Sequence, residues 1–87
     1  MPTRRVTISV ADGLHARPVA ELARIALSHT EAVTMEAASG AVVDMSSVLA
    51  VMDLAVGLGD EVVLATADHP EAGALLDALA AVLDPQG

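Results

Sequence analysis

Near the start of the chain the hydrophobic period changes from two to between three and four residues, and no other feature constrains the fold as strongly. Val6, Ile8 and Val10 alternate with Thr7 and Ser9, as in a strand with one buried face. Val19, Leu22, Ala23 and Ala26 then recur at helical spacing. Gly13 punctuates the turn between the two runs, and Pro18 suits a first helical turn, where its missing N–H is not needed. The periods go on switching. Ser28-His29-Thr30 breaks the helix, residues 32–37 alternate again, and Ser39-Gly40 signals a turn into Ala41-Val42-Val43 as a hairpin partner. The oxygens of Asp44 to Ser47 can cap a short apolar helix over Val48 to Leu54, which Gly57 and Gly59 end. Glu61 to Ala67 is a further β-rich run. His69-Pro70-Glu71 opens a last helix whose Ala72, Leu75, Leu76, Leu79 and Leu83 share one face.

The resulting order, β-α-β-β-α-β-α, predicts an α+β open-faced sandwich: a four-stranded antiparallel sheet covered on one face by three helices. With 87 residues and no internal repeat or linker, one domain over 1–87 is expected. The chain has no Cys, Phe, Tyr or Trp, and no Lys or Asn, so the core has to be aliphatic, with Met35, Met45 and Met52 available to fill gaps.

The same composition excludes several functions. Twelve acidic residues against four arginines leave a net charge of −8, which argues against nucleic acid as a ligand and favours partners with basic surfaces. Three of those arginines, Arg4, Arg5 and Arg17, lie near the N-terminus, so that end is the less acidic one. No signal-peptide-like run or bilayer-length apolar stretch is present, and a cytoplasmic monomer is expected, without membrane insertion. His15, His29 and His69 are far apart and have no ligand-like neighbours at helical spacing, so no metal or other cofactor is expected. His29 and His69 read as surface punctuation between elements. Nothing suggests a substrate cleft, so the second substrate of any phosphoryl chemistry has to be another protein.

Two constellations stand out. In Gly13-Leu14-His15-Ala16-Arg17-Pro18, a histidine falls at or beside a helix N-cap, where free N–H groups and the positive dipole end favour an anion and a neutral ring. A neutral imidazole there is a candidate nucleophile for phosphoryl transfer. The N–H groups and Arg17 are candidate holders of the phosphoryl oxygens. In the second constellation, Ser46 and Ser47 precede the short helix. Either hydroxyl can cap it, and a regulatory phosphate is physically reasonable at the same place. Val48, Leu49 and Met52 behind them form either a core face or, with Leu14, a docking patch.

Both motifs, and the closing Gly59-Asp60-Glu61-Val62, resemble the HPr family, the histidine-containing phosphocarriers of the bacterial phosphoenolpyruvate:sugar phosphotransferase system. The likeness runs from about Val6 to Leu83. It implies that His15 accepts a phosphoryl group on Nδ1 from enzyme I and passes it to the IIA domain of a sugar permease. Arg17 and the N–H groups of Ala16 and Arg17 would steady that group. It further implies that Ser47 is the position an HPr kinase would modify, and that Leu14, Arg17, Arg24, Val48, Leu49 and Met52 form the partner face. Two family positions differ: a usual lysine is Ser46 and a usual basic residue is Leu27, leaving Arg24 as the basic group on the first helix. Carriers of a nitrogen-related branch keep both motifs, and purely regulatory modules of the family tend to lack the histidine that stands here as His15; a carrier of one of these branches is the alternative. An acyl carrier protein, suggested by Asp44-x-Ser46, is opposed by the alternating runs.

Overall fold

The computed structural model describes residues 2–9, 16–54 and 56–85. Its elements are β1 (Thr3–Thr7), α1 (Ala16–Leu27), β2 (Val33–Ala37), β3 (Val42–Asp44), α2 (Val48–Asp53), β4 (Glu61–Thr66) and α3 (Ala72–Leu83). The strands form one antiparallel sheet in the order β1-β4-β2-β3. The expected βαββαβα architecture therefore holds.

Strand alternation decides which face is covered. Val6 and Ile8, then Val62, Leu64 and Thr66, then Val33, Met35 and Ala37 are buried on the helix side. Cross-strand partners Val6↔Val62 and Met35↔Leu64 bring them into register. Thr3, Arg5, Thr7, Glu61 and Glu36 point the other way and are exposed, which leaves that face open to solvent. Thr66, a polar side chain buried in the core, is satisfied because its hydroxyl donates to the Ala32 carbonyl at 2.9 Å.

The helices cover the other side as their periodicity requires. α1 buries Pro18, Val19, Leu22, Ala23 and Ala26, and α3 buries Ala72, Leu75, Leu76, Leu79 and Leu83. Met35 and Met45 fill the core with no exposure. Met52 does not join them: it is 41% exposed on the outer side of α2, so it is not a gap-filler.

Three boundaries differ from the sequence reading. The first strand is Thr3–Thr7 and not Val6–Val10, because polar Arg4 occupies a helix-side position and ion-pairs with Asp77 of α3; Val10 lies outside the described residues. α2 ends at Asp53 with Leu54 as its C-cap, so neither Gly57 nor Gly59 ends it. These glycines instead belong to the tight turn into β4. There Asp60 N–H donates to the Gly57 carbonyl at 3.0 Å, the Asp60 carboxylate accepts from Gly57 N–H at 2.9 Å, and Gly59 adopts φ +89°. Finally, the hairpin strand is Val42–Asp44, one residue later than read, with Gly40 at φ +94° making the turn.

Candidate functional site

α1 starts at Ala16, which puts the first helical N–H groups immediately after His15 in the chain. Pro18, in the first turn, has no N–H, so Ala16 and Arg17 supply the two leading donors of that turn. The first turn of α1 carries no acidic residue, so no carboxylate there offsets the positive dipole end. Arg17 is exposed and has no ion-pair partner among the described residues. Leu14 and His15 lie outside the described residues, as does the side chain of Ala16.

The second candidate face is on α2 and is better defined. Val51 is buried and anchors the helix, while Val48, Leu49 and Met52 are exposed, Leu49 at 75%. Of the two roles left open for these side chains, the exposed patch is the one the fold produces. Leu27, the last residue of α1, is also exposed, and it lines a shallow groove with Asp44 and Ser46 ahead of α2.

The serine doublet separates cleanly. Ser47 is the N-cap: its backbone is extended at φ −99°, ψ 106°, and its Oγ accepts from Ala50 N–H at 3.2 Å. Ser46 instead serves Asp44, whose Oδ1 accepts from Ser46 N–H at 2.9 Å and from its hydroxyl at 2.8 Å. Those two donors, the N–H foremost, hold the Asp44 carboxyl below its ordinary range.

Arg24 is not the open cation that the sequence suggests. Its Nη2 and Nε both donate to the Glu21 carboxylate, the second at 3.2 Å. The pair lies at i,i+3 on the surface of α1. Arg24 holds the Glu21 carboxyl below the ordinary range, and Glu21 in turn pushes the Arg24 guanidinium higher. The Glu-x-x-Arg spacing was there to be read. So was Asp44-x-Ser46, whose geometry is an Asx turn.

The structure also corrects the reading of His29 and His69 as separate surface punctuation. Their ring centroids are 6.4 Å apart where the end of α1 meets the start of α3. His69 Nδ1 accepts from Glu71 N–H at 3.3 Å, while its Nε2 is buried without a partner among the described residues. His29 Nε2 lies 3.9 Å from the Glu71 carboxylate. Among the described residues no three His, Cys, Asp or Glu side chains are grouped as a metal site. No helix of the described residues is long and apolar enough to cross a membrane.

The family model for the PTS HPr component phosphorylation site matches residues 2–84. The chain is 42% identical over 80 residues to the phosphocarrier protein HPr of Streptomyces coelicolor A3(2), covering 92% of this chain and 85% of that protein. Against the phosphocarrier protein HPr of Cupriavidus necator H16, identity is 40% over 83 residues, covering 95% and 91%. The crystal structure of a phosphocarrier protein HPr from Bacillus anthracis str. Ames superposes with a TM-score of 0.83 at 32% identity, covering 94% of this chain and 95% of that one.

Proposed function

Because this chain belongs to the HPr family, the phosphoryl carriers of the phosphotransferase system, we propose that His15 is the residue that carries the phosphoryl group. The observation that supports this most directly is the start of α1 at Ala16, directly after His15, with Arg17 in the same turn. In the proposed cycle the lone pair of His15 Nδ1 forms a bond to phosphorus as the phosphorus–nitrogen bond of phospho-enzyme I breaks. The reverse exchange then delivers the group to a histidine of a IIA domain. Each step exchanges one phosphorus–nitrogen bond for another. The protein's task is to place the acceptor in line and to hold charge on the three equatorial oxygens.

Arg17 suits the second task. Its guanidinium is exposed, unpaired among the described residues, and able to donate two parallel N–H bonds to phosphoryl oxygens. The N–H groups of Ala16 and Arg17 add the helix end's partial positive charge. Enzyme I and IIA domains dock on the apolar outer face of α2, Val48, Leu49 and Met52, together with Arg17; Leu14, a further member of the expected face, lies outside the described residues. In this reading the protein works in the cytoplasm as a monomer.

Ser47, not Ser46, is the regulatory phosphosite in this reading. A phosphate on Ser46 would be driven against the ionised Asp44 carboxylate that its hydroxyl now contacts. The Ser47 hydroxyl oxygen instead faces an amide N–H, that of Ala50.

The test is direct. Incubation with enzyme I and phosphoenolpyruvate is expected to yield an acid-labile phosphoramidate on one histidine, and His15→Ala to abolish it. Normal labelling of that variant would remove His15 from the relay.

A further inference from the structure

The backbone just upstream of His15 is held from two sides. The ladder between β1 and β4 ends at Thr7↔Glu61. At the next residue, Ile8 N–H donates to the Asp60 carbonyl and Ile8 O accepts from Gly59 N–H, both at 2.8 Å, with the Ile8 side chain fully buried. One residue further on, the partner changes. Ser9 N–H donates to the Leu83 carbonyl at 2.9 Å, and Ser9 Oγ donates to the Asp84 carboxylate.

Continued alternation would place Ser9 with Thr7 on the open face. Its bonds to the end of α3 take the chain out of the sheet instead. The Leu83 carbonyl is among the last of α3, which lack donors within the helix, so Ser9 satisfies a group that otherwise needs water or a cap. Asp84, the C-cap of α3, is itself fixed by its N–H to the Ala80 carbonyl at 2.7 Å. Leu83 is fully buried, so the anchor is tied to the core and not to a loose end.

We propose that Ser9 and Asp84 are positioning residues for the phosphoryl acceptor, fixing the backbone at Ser9, six residues ahead of His15 in the chain. The proposal rests on the assignment of His15 above. Ser9 sets the upstream end of a short span whose downstream end is the first turn of α1. Transfer between two proteins needs the acceptor nitrogen in line with phosphorus, and small misplacements remote from the chemistry cost up to about a hundredfold in rate. A carboxylate acceptor makes the Ser9 bond charge-assisted, and so stronger and more directional than a neutral one.

The experiment measures single-turnover phosphorylation by purified enzyme I and phosphoenolpyruvate for the unaltered protein, Ser9→Ala, Asp84→Ala, the double variant, Ser9→Thr and Asp84→Asn. Ser9→Ala and Asp84→Ala are each expected to lower the transfer rate about tenfold while the apparent KM for the carrier stays within twofold. The double variant is expected to be no slower than either single one. Ser9→Thr keeps the donor and Asp84→Asn keeps an acceptor oxygen, so each is expected to recover most of the rate. Loss of thermal stability with an unchanged rate in Ser9→Ala and Asp84→Ala would reduce the pair to a structural tie and overturn the proposal. Failure of Thr or Asn to recover the rate would overturn it as well. If Ser9→Ala does not fold, Asp84→Ala with its Asn counterpart decides the matter. Absence of label on His15 in the unaltered protein would instead sink the acceptor assignment, and this inference with it.

Discussion

At the scale of single residues, the functional reading depends on which charges are free. Arg17 is exposed with no ion-pair partner among the described residues, whereas Arg24 is committed to Glu21. Arg17→Ala is therefore expected to slow phosphoryl transfer from enzyme I at least tenfold, about 1.4 kcal/mol in barrier, with an unchanged circular dichroism spectrum. Glu21→Gln is expected to release Arg24 and tighten binding to an acidic partner surface two- to fivefold, a change that titration calorimetry resolves and that Arg24→Gln in the same background cancels; exposed pairs of this kind are weak, so the gain stays small. Asp44 gives a pH signature. Its folded-state carboxyl is held below the ordinary 3.8 by the Ser46 N–H and hydroxyl, so its contribution to stability is complete above that value and is lost as pH falls through the lower folded one. Acid unfolding of Asp44→Asn is expected to lack that part of the loss, seen as a smaller fall in melting temperature below pH 4 than in the unaltered chain.

At the scale of elements, α2 has only six residues and a single buried side chain, Val51, so its cap matters more than it would in a longer helix. Ser47→Ala is expected to cost about 1 kcal/mol in chemical denaturation, and Ser46→Ala, which loses an exposed bond, less than about 0.5 kcal/mol. Ser47→Asp is expected to raise the apparent KM for enzyme I at low salt. Residues 44–54 contain no basic side chain and Asp44 lies just ahead of the helix, so no cation adjacent in the chain offsets the added charge, and the effect is expected to shrink as salt screens it. Elements of this kind show where pattern reading works and where it fails. α1 and α3 were legible because Val19, Leu22, Ala23 and Ala26, and Leu75, Leu76, Leu79 and Leu83, all face one core. β1 was misplaced because its helix-side Arg4 is an edge-strand residue whose charge is met by Asp77 on a helix more than seventy positions away, information that no local window holds. The proximity of His29 and His69 was invisible for the same reason. The exposed α2 face was legible from local residue types, as was the motif on which the proposed acceptor stands. The Glu21–Arg24 pair and the Ser9–Asp84 tie needed side-chain geometry.

At the scale of the whole molecule, a domain of this length is expected to be stable by about 4–13 kcal/mol. Its core has no aromatic ring, so it rests on aliphatic packing around Leu22, Met35, Met45, Leu64, Leu75 and Leu79. Leu79→Ala removes a fully buried side chain from the middle of α3 and is expected to cost about 2–5 kcal/mol, a large share of the total. Urea unfolding followed by circular dichroism measures this, since the chain has no tryptophan to report by fluorescence. The sheet order β1-β4-β2-β3 has a consequence for the birth of the protein. The first strand made pairs with the last, and β4 joins β1 to the β2–β3 hairpin. On the ribosome β1 therefore waits for its neighbour while the stretch from Thr7 to Glu61 is synthesised, about 3–11 s at about 5–20 residues per second. A nascent chain arrested before Glu61 has no β4 to join β1 to the β2–β3 hairpin and displays its unpaired strand edges to the cell's quality control, so this carrier cannot close its sheet until Glu61–Thr66 has been translated.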